Sequence, residues 1–386
     1  QVPVEIWGEK VAAAFLGVRL ECAQCHKHPT DRWTQEEYWA FANIFGQVTF
    51  NQTQFSSPEA KKLATEENDA RKAKVEQRNA NNINLVREVF VVDRAARMKP
   101  NPATNRVPTP RTLGGPEVTI KPGVDARVQL ADWLTTKENP FFARSFTNRV
   151  WAHYFGIGLV NPVDDFSLAN PPTNPRLLDR LAKEFTDGGF DLRKLEKAIL
   201  MSRAYQTSAK PNASNTFDRM NFARSYVRPL MAEQVVDVLN AALAVDEAFG
   251  TEAPSGYKMV EVGASRLNNA NLSYILRIFG RPPRTTACDC ERSAEPALPQ
   301  TLFRMTDPIL LQKMRAPNGR VQSLVKKKLA DESVIEEMFL ATLSRFPTEK
   351  EKTEAMKFLS ENTNKTEALA DVMWALINTR EFILNH

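Results

Sequence analysis

From Asp125 onward this chain is punctuated almost throughout as helix, and that confines its architecture more than any other feature. Apolar residues recur three and four apart over 126–136, 140–155, 175–187, 191–204, 230–245, 297–314, 333–344, 348–361 and 365–380, the spacing of one buried helix face. Asn139-Pro140, Asn174-Pro175 and Pro347-Thr348 stand where helices start, since a proline in the first turn forfeits no hydrogen bond. FGIG at 155–158 and GGFD at 188–191 end them, because glycine takes the left-handed conformation of a helix stop. Against these segments the best strand candidate is EVFVVD, Glu88 to Asp93. The expected fold class is mainly α: irregular multi-helix domains with long Pro/Gly-rich loops and few short strands.

The first 48 residues read as two helices flanking a short loop. Val11, Phe15 and Val18 mark a helical stripe over 7–21 that runs straight into ECAQCHKHP at 21–29. Thr34 and Glu37 form a capping box, and Tyr38, Phe41, Ala42 and Phe45 the buried face behind it. Residues 51–88 are polar and charged, suited to an exposed helix or insertion. MKPNPATNRVPTPRTLGGPEVTIKPG, ending at Gly123, reads as a linker or wrapping loop. A composition break near 124 divides the chain into 1–50, 51–124 and 125–386. A further long loop is expected from Gly250 to Pro299.

Composition excludes several classes. With 51 basic against 46 acidic residues the net charge is only +5, and no basic stripe interleaves with aromatics, so nucleic acid is not an expected partner. The longest apolar run, Val11 to Val18, is far too short to span a membrane. Four cysteines are too few for a disulfide scaffold. They fall as two pairs, Cys22/Cys25 and Cys288/Cys290.

Cys22, Cys25 and His26 form CxxCH. At a helix-terminal turn, residues three and four apart share a face, so both thiols and the imidazole can meet one flat ligand. Covalent haem needs that set: two thioethers at the ring edge and a histidine on the iron. Two other chemistries stay open. Cys22, Cys25, Cys288 and Cys290, with or without His26, could hold one zinc ion, or the pairs could form disulfides. For haem, His28 stands too close to His26 to reach the opposite ring face, so His153 is the better candidate for a second axial ligand. Its alternative is an ordinary helix histidine beside Trp151 and Tyr154. Asp164 and Asp165 are expected as turn formers and caps rather than an acid–base pair. Arg281, Arg284, Asp289, Glu291 and Arg292 suit either a substrate loop or an internal salt-bridge network.

FLGVRLECAQCHKHPTDRWTQEEYWAFANIFGQV closely resembles the C-terminal end of a planctomycete cytochrome-associated domain, the PSCyt type of unknown function. LADWLTTKENPFFARSFTNRVWAHYFGIGLVNPVDDFSLANPPTNPRLLDRLAKEF resembles its usual companion, the PSD type, as do SRAYQTS, FGRPPRTTACDCERS and NTREFILNH. The resemblance implies part of a larger exported protein, hence an extracytoplasmic location. It points to Cys22, Cys25 and His26 as the haem-type motif, with His28 and Trp33 in the same block and Cys288 and Cys290 in a second. The family commonly has an acidic residue between the two histidines where this chain has Lys27, a cation that would raise the potential of a bound haem.

The expected function is therefore a c-type haem protein in electron transfer, or the redox part of a larger enzyme, whose partner is a redox protein or the parent chain. The alternative is a structural or binding module whose cysteines clamp zinc or disulfides, with a polysaccharide-related partner.

Overall fold

In the computed structural model the described residues are 2–51, 55–73, 88–92, 97–249, 256–262, 267, 269–281 and 298–385. They are mainly helical, with two short antiparallel strand pairs. They fall into two compact units. One holds the described residues of 2–207 and 217–223; the other holds those of 208–216, 224–281 and 298–385.

The first unit contains α1 (Val4–Val11), α2 (Gln35–Ala42), β1 (Val48–Asn51), α3 (Pro58–Ala73), β2 (Glu88–Val91), α4 (Ala126–Leu134), α5 (Phe142–Phe155), α6 (Pro175–Asp187) and α7 (Leu192–Leu200). β1 and β2 pair in the register Val48 to Val91 and Asn51 to Glu88, as the apolar EVFVV run suggested. α2 begins at the expected capping box: Thr34 accepts from the Glu37 amide while the Glu37 carboxylate accepts from the Thr34 amide. Asn174 and Asp191 cap α6 and α7 through their side chains, which satisfies amides that a helix start leaves open.

The core around α1 and α2 does not stop at the composition break. Leu113 and Val118, inside the Pro/Gly-rich stretch, and Ala126, Leu130 and Trp133 of α4 are buried with Leu16, Leu20, Trp33, Phe41 and Phe45. Position 124 thus lies inside one unit. The stretch wraps: Arg111 N–H donates to the Ala40 carbonyl, and Val118 N–H to that of Pro110.

The helix ahead of the cysteines differs from expectation. α1 ends at Val11, a π-helical turn covers Ala12–Leu16, and Gly17 stops it with φ of 69°. A Cβ at Gly17 would lie 2.7 Å from the Phe166 ring and 3.0 Å from Ser145 Oγ, so a side chain fits neither the backbone nor the space. The chain then runs non-helically to the motif.

The second unit contains β3 (Arg228–Pro229), α8 (Ala232–Leu243), α9 (Ala270–Ile278), α10 (Leu298–Thr306), α11 (Pro308–Met314), α12 (Arg320–Lys327), α13 (Asp331–Leu343), α14 (Glu349–Glu361), α15 (Lys365–Asn378) and β4 (Leu384–Asn385). The helix expected over 297–314 is two helices, because Pro308 cannot donate within a helix and Asp307 caps the new start. α9 falls inside the expected 250–299 loop, begun by an Asn269 cap. Arg304 is buried and donates to the Ile377 and Thr379 carbonyls, closing the end of α15.

Arg345 ties the end of α13 to the start of α14 and to the C-terminal turn, bonding both oxygens of Glu351 and both of Glu381. Its hydrogen bonds pull the Glu351 carboxyl from 4.5 down to about 2. A carboxyl lower in the folded than in the unfolded chain adds stability in full above the unfolded value and loses it as the pH falls through the folded one. Glu351→Gln keeps the capping role but not the charge. We expect its unfolding free energy from urea titration to lie below wild type at pH 7, by up to about 1 kcal/mol for so exposed a pair. The two curves should converge between pH 4.5 and about 2.

Candidate functional site

The loop from Val18 to Trp33 is built around inward anchors. Val18, Leu20 and Ala23 are buried in the core shared with α1 and α2. Ala23 N–H donates to the Leu20 carbonyl at 2.8 Å, opening a short 3₁₀ turn, Glu21–Gln24. The Gln24 carbonyl accepts two donors from α2, Gln35 Nε2 at 2.9 Å and Trp39 Nε1 at 3.3 Å. With Ala23 facing in and Gln24 clamped, Cys22 and Cys25 face out; both are exposed and free.

The two histidines differ in state. His26 is exposed, and its Nδ1 lies 2.7 Å from the Lys27 carbonyl. A carbonyl only accepts, so Nδ1 carries the proton and the Nε2 of the neutral ring is bare. That polarisation is typical of a metal-bound histidine, whose second nitrogen donates to a carbonyl. His28 is buried and reversed: its Nδ1 accepts from the Thr30 amide at 3.3 Å, and its own amide donates to the Trp33 carbonyl at 2.8 Å. His28 closes the 28–33 loop upon itself. Trp33 is buried beneath the Arg32 guanidinium, which lies 4.5 Å from its ring, and Trp33 Nε1 has no acceptor.

Two contacts hold the approach to the loop. Tyr38 OH donates to Glu9 Oε1 at 2.7 Å, joining α2 to α1 in the core. Burial pushes the Glu9 carboxyl up, and burial with the Glu9 bond pushes the Tyr38 phenol up. Arg19 meets Asp164 with two bonds, Nη2–Oδ1 at 2.7 Å and Nε–Oδ2 at 3.2 Å. Beside them Phe166 N–H donates to the Gly17 carbonyl. Asp164 sits in the expected turn, closed by the Asp165 N–H on the Pro162 carbonyl, and is in addition the ion-pair partner of Arg19. Asp165 adds a second local turn, its carboxylate accepting from the Ser167 amide.

Other expected site residues lie elsewhere or outside the described residues. His153 is exposed on the last turn of α5, edge-on to Tyr154. Among the described residues no group of three or more His, Cys, Asp or Glu side chains is arranged to hold a metal ion, so His153 does not join the loop in one. Cys288 and Cys290, with Arg284, Asp289, Glu291 and Arg292, lie outside the described residues. Arg281 forms a largely buried ion pair with Glu233 of α8, a residue outside that cluster.

Sequence reasoning missed a polar cleft of about 590 Å³, lined by Glu36, Glu37, Arg111, Thr112, Gly114 and Glu117 among others. Its carboxylates are already engaged: Glu36 accepts from Asn101, Glu37 caps α2 and Glu117 pairs with Arg111. The signal for it was the Gly114-Gly115 pair. A Cβ at Gly115 would fall 2.4 Å from Thr112 Oγ1 and 2.5 Å from Trp133 Nε1.

Residues 126–359, more than half of the chain, match the family PSD1, protein of unknown function (DUF1553). The chain belongs to that family. Residues 5–50 match PSCyt2, protein of unknown function (DUF1549). No curated protein and no solved structure matches the chain. The segment from PSCyt2 and the start of the PSD1 region lie in one compact unit, held there in part by Arg19–Asp164.

Asp164 is almost wholly buried whereas Arg19 is part-exposed. Removing the arginine strands a buried carboxylate, while Asp164→Asn leaves a neutral acceptor. We expect Arg19→Met to cost about 2 kcal/mol and Asp164→Asn clearly less in urea unfolding. Amide exchange in residues 17–25 should rise more in the arginine variant.

Proposed function

We propose that the loop around Cys22, Cys25 and His26 is a c-type haem attachment loop, and that the chain is the haem-bearing redox part of a larger extracytoplasmic protein. The observation that carries this reading is His26: an exposed imidazole with its Nδ1 proton tied to its own loop and its Nε2 bare, directly after a free, exposed thiol.

The residues fit the group as attachment points. Both thiols are free and accessible, and Ala23 and the doubly held Gln24 carbonyl fix the backbone that carries them. His28 is buried with Nδ1 engaged, so it serves the loop and not the ligand. Lys27, exposed between the histidines, puts a positive charge beside the site. When bound, haem supplies a one-electron iron couple. The protein's part is to present the two sulfurs, orient His26 and bias that couple through Lys27.

The test is a pyridine haemochrome assay with elemental analysis, on full chain produced with cytochrome c maturation. We expect about one haem per chain, abolished in Cys22→Ala with Cys25→Ala. His26→Ala should change the iron spectrum while the thioethers stay. A spectral change in His153→Ala would identify the second axial ligand. No haem but near-stoichiometric zinc would overturn the reading in favour of a clamp with Cys288 and Cys290.

A further inference from the structure

The turn that presents the two thiols also sets them at bridging distance. Cys22 is the second residue of the 3₁₀ turn and Cys25 its C-terminal cap. A 3₁₀ turn eclipses residues three apart and rises about 2 Å per residue, which puts their Cα atoms about 6 Å apart. A disulfide spans about 4.4–6.8 Å. Between the two, Ala23 is fully buried and the Gln24 carbonyl is held by Gln35 and Trp39. The backbone therefore does not swing the cysteines apart, and their exposure leaves both open to a reagent.

We infer that Cys22 and Cys25 form a reversible disulfide within the loop, and that this bond controls the site. The control rests on the haem reading above; the disulfide does not. The co-reactant is a small disulfide such as oxidised glutathione. One protein thiolate attacks it, the reagent S–S bond breaks, and a glutathione thiolate leaves behind a mixed disulfide. The second protein thiolate attacks the protein-side sulfur and expels the other glutathione. Two protein thiols are oxidised, one glutathione disulfide is reduced, and two protons pass to the departing thiolates. Thioether formation adds a thiol S–H across a vinyl group: sulfur bonds one carbon and the hydrogen goes to the other. The disulfide has no S–H to add, so only the dithiol accepts the ring.

The full chain, purified reduced and without haem, is equilibrated over a series of glutathione to glutathione-disulfide ratios. It is then quenched in acid, alkylated and digested with trypsin. Leu20 to Lys27, LECAQCHK, is one tryptic peptide holding both cysteines. We expect it to lose both alkylation sites in a single two-electron step and to become lighter than the dithiol by two hydrogens. Cys22→Ser should instead form only a mixed disulfide at Cys25. A peptide that stays doubly alkylated, takes up two separate glutathiones, or links to the peptide with Cys288 and Cys290 would overturn the inference. Haemochrome yield after in vitro exposure to ferrous haem reads the control separately. Reduced protein should load and oxidised protein should not, and equal loading of both would overturn it. A disulfide without haem uptake by either form would overturn the control and leave the disulfide standing, while the haem reading is decided by the matured protein. Haem uptake without any disulfide would sink this inference alone.

Discussion

The buried hydrogen bond from Tyr38 to Glu9 fastens α1 to α2, and the candidate site depends on that pairing. Glu9 gives up solvation to sit there, which raises its carboxyl, and Tyr38 is the donor that makes the burial tolerable. Gly8 lets the two helices close: a Cβ there would lie 3.1 Å from the Ala42 Cα. With α1 and α2 locked, Gln35 and Trp39 stand where they can hold the Gln24 carbonyl. Gly17 and the buried Val18 and Leu20 lead the chain into the turn. The thiols are exposed because the residues around them are committed inward.

The region matching PSCyt2 and the start of the PSD1 region are not separate pieces of structure. The Arg149 side chain donates to the Ala13 carbonyl, Phe166 to that of Gly17, and Arg19 bridges to Asp164. All of these join the PSCyt2 match to residues of the PSD1 region within one compact unit. The approach to the motif is thus positioned partly by residues that follow it by more than a hundred positions.

Local signals were legible in proportion to how local their physics is. The Thr34–Glu37 box, α6 and the β2 strand stand where sequence places them, since caps, Asn-Pro starts and alternating apolar runs act over a few residues. Gly17 and Pro308 carried equally local signals, and weighing them would have ended the first helix and divided the 297–314 segment. The ion pair of Asp164 was not legible, because its partner Arg19 lies 145 residues away. A Pro/Gly-rich stretch reads as linker by composition, although two apolar residues, Leu113 and Val118, bury it against the core.

By itself the sequence determined the helical class, the family and the donor set: two thiols and an imidazole within five residues. Those follow from residue type and spacing, which no packing alters. Only the tertiary structure decided which donors are available. It turned His26 outward with a bare Nε2, turned His28 inward as a brace for its loop, and placed both cysteines on the outside of one clamped turn. Exposure and tautomer are set by neighbours brought from elsewhere in the chain, and those neighbours cannot be read from ECAQCHKHP alone.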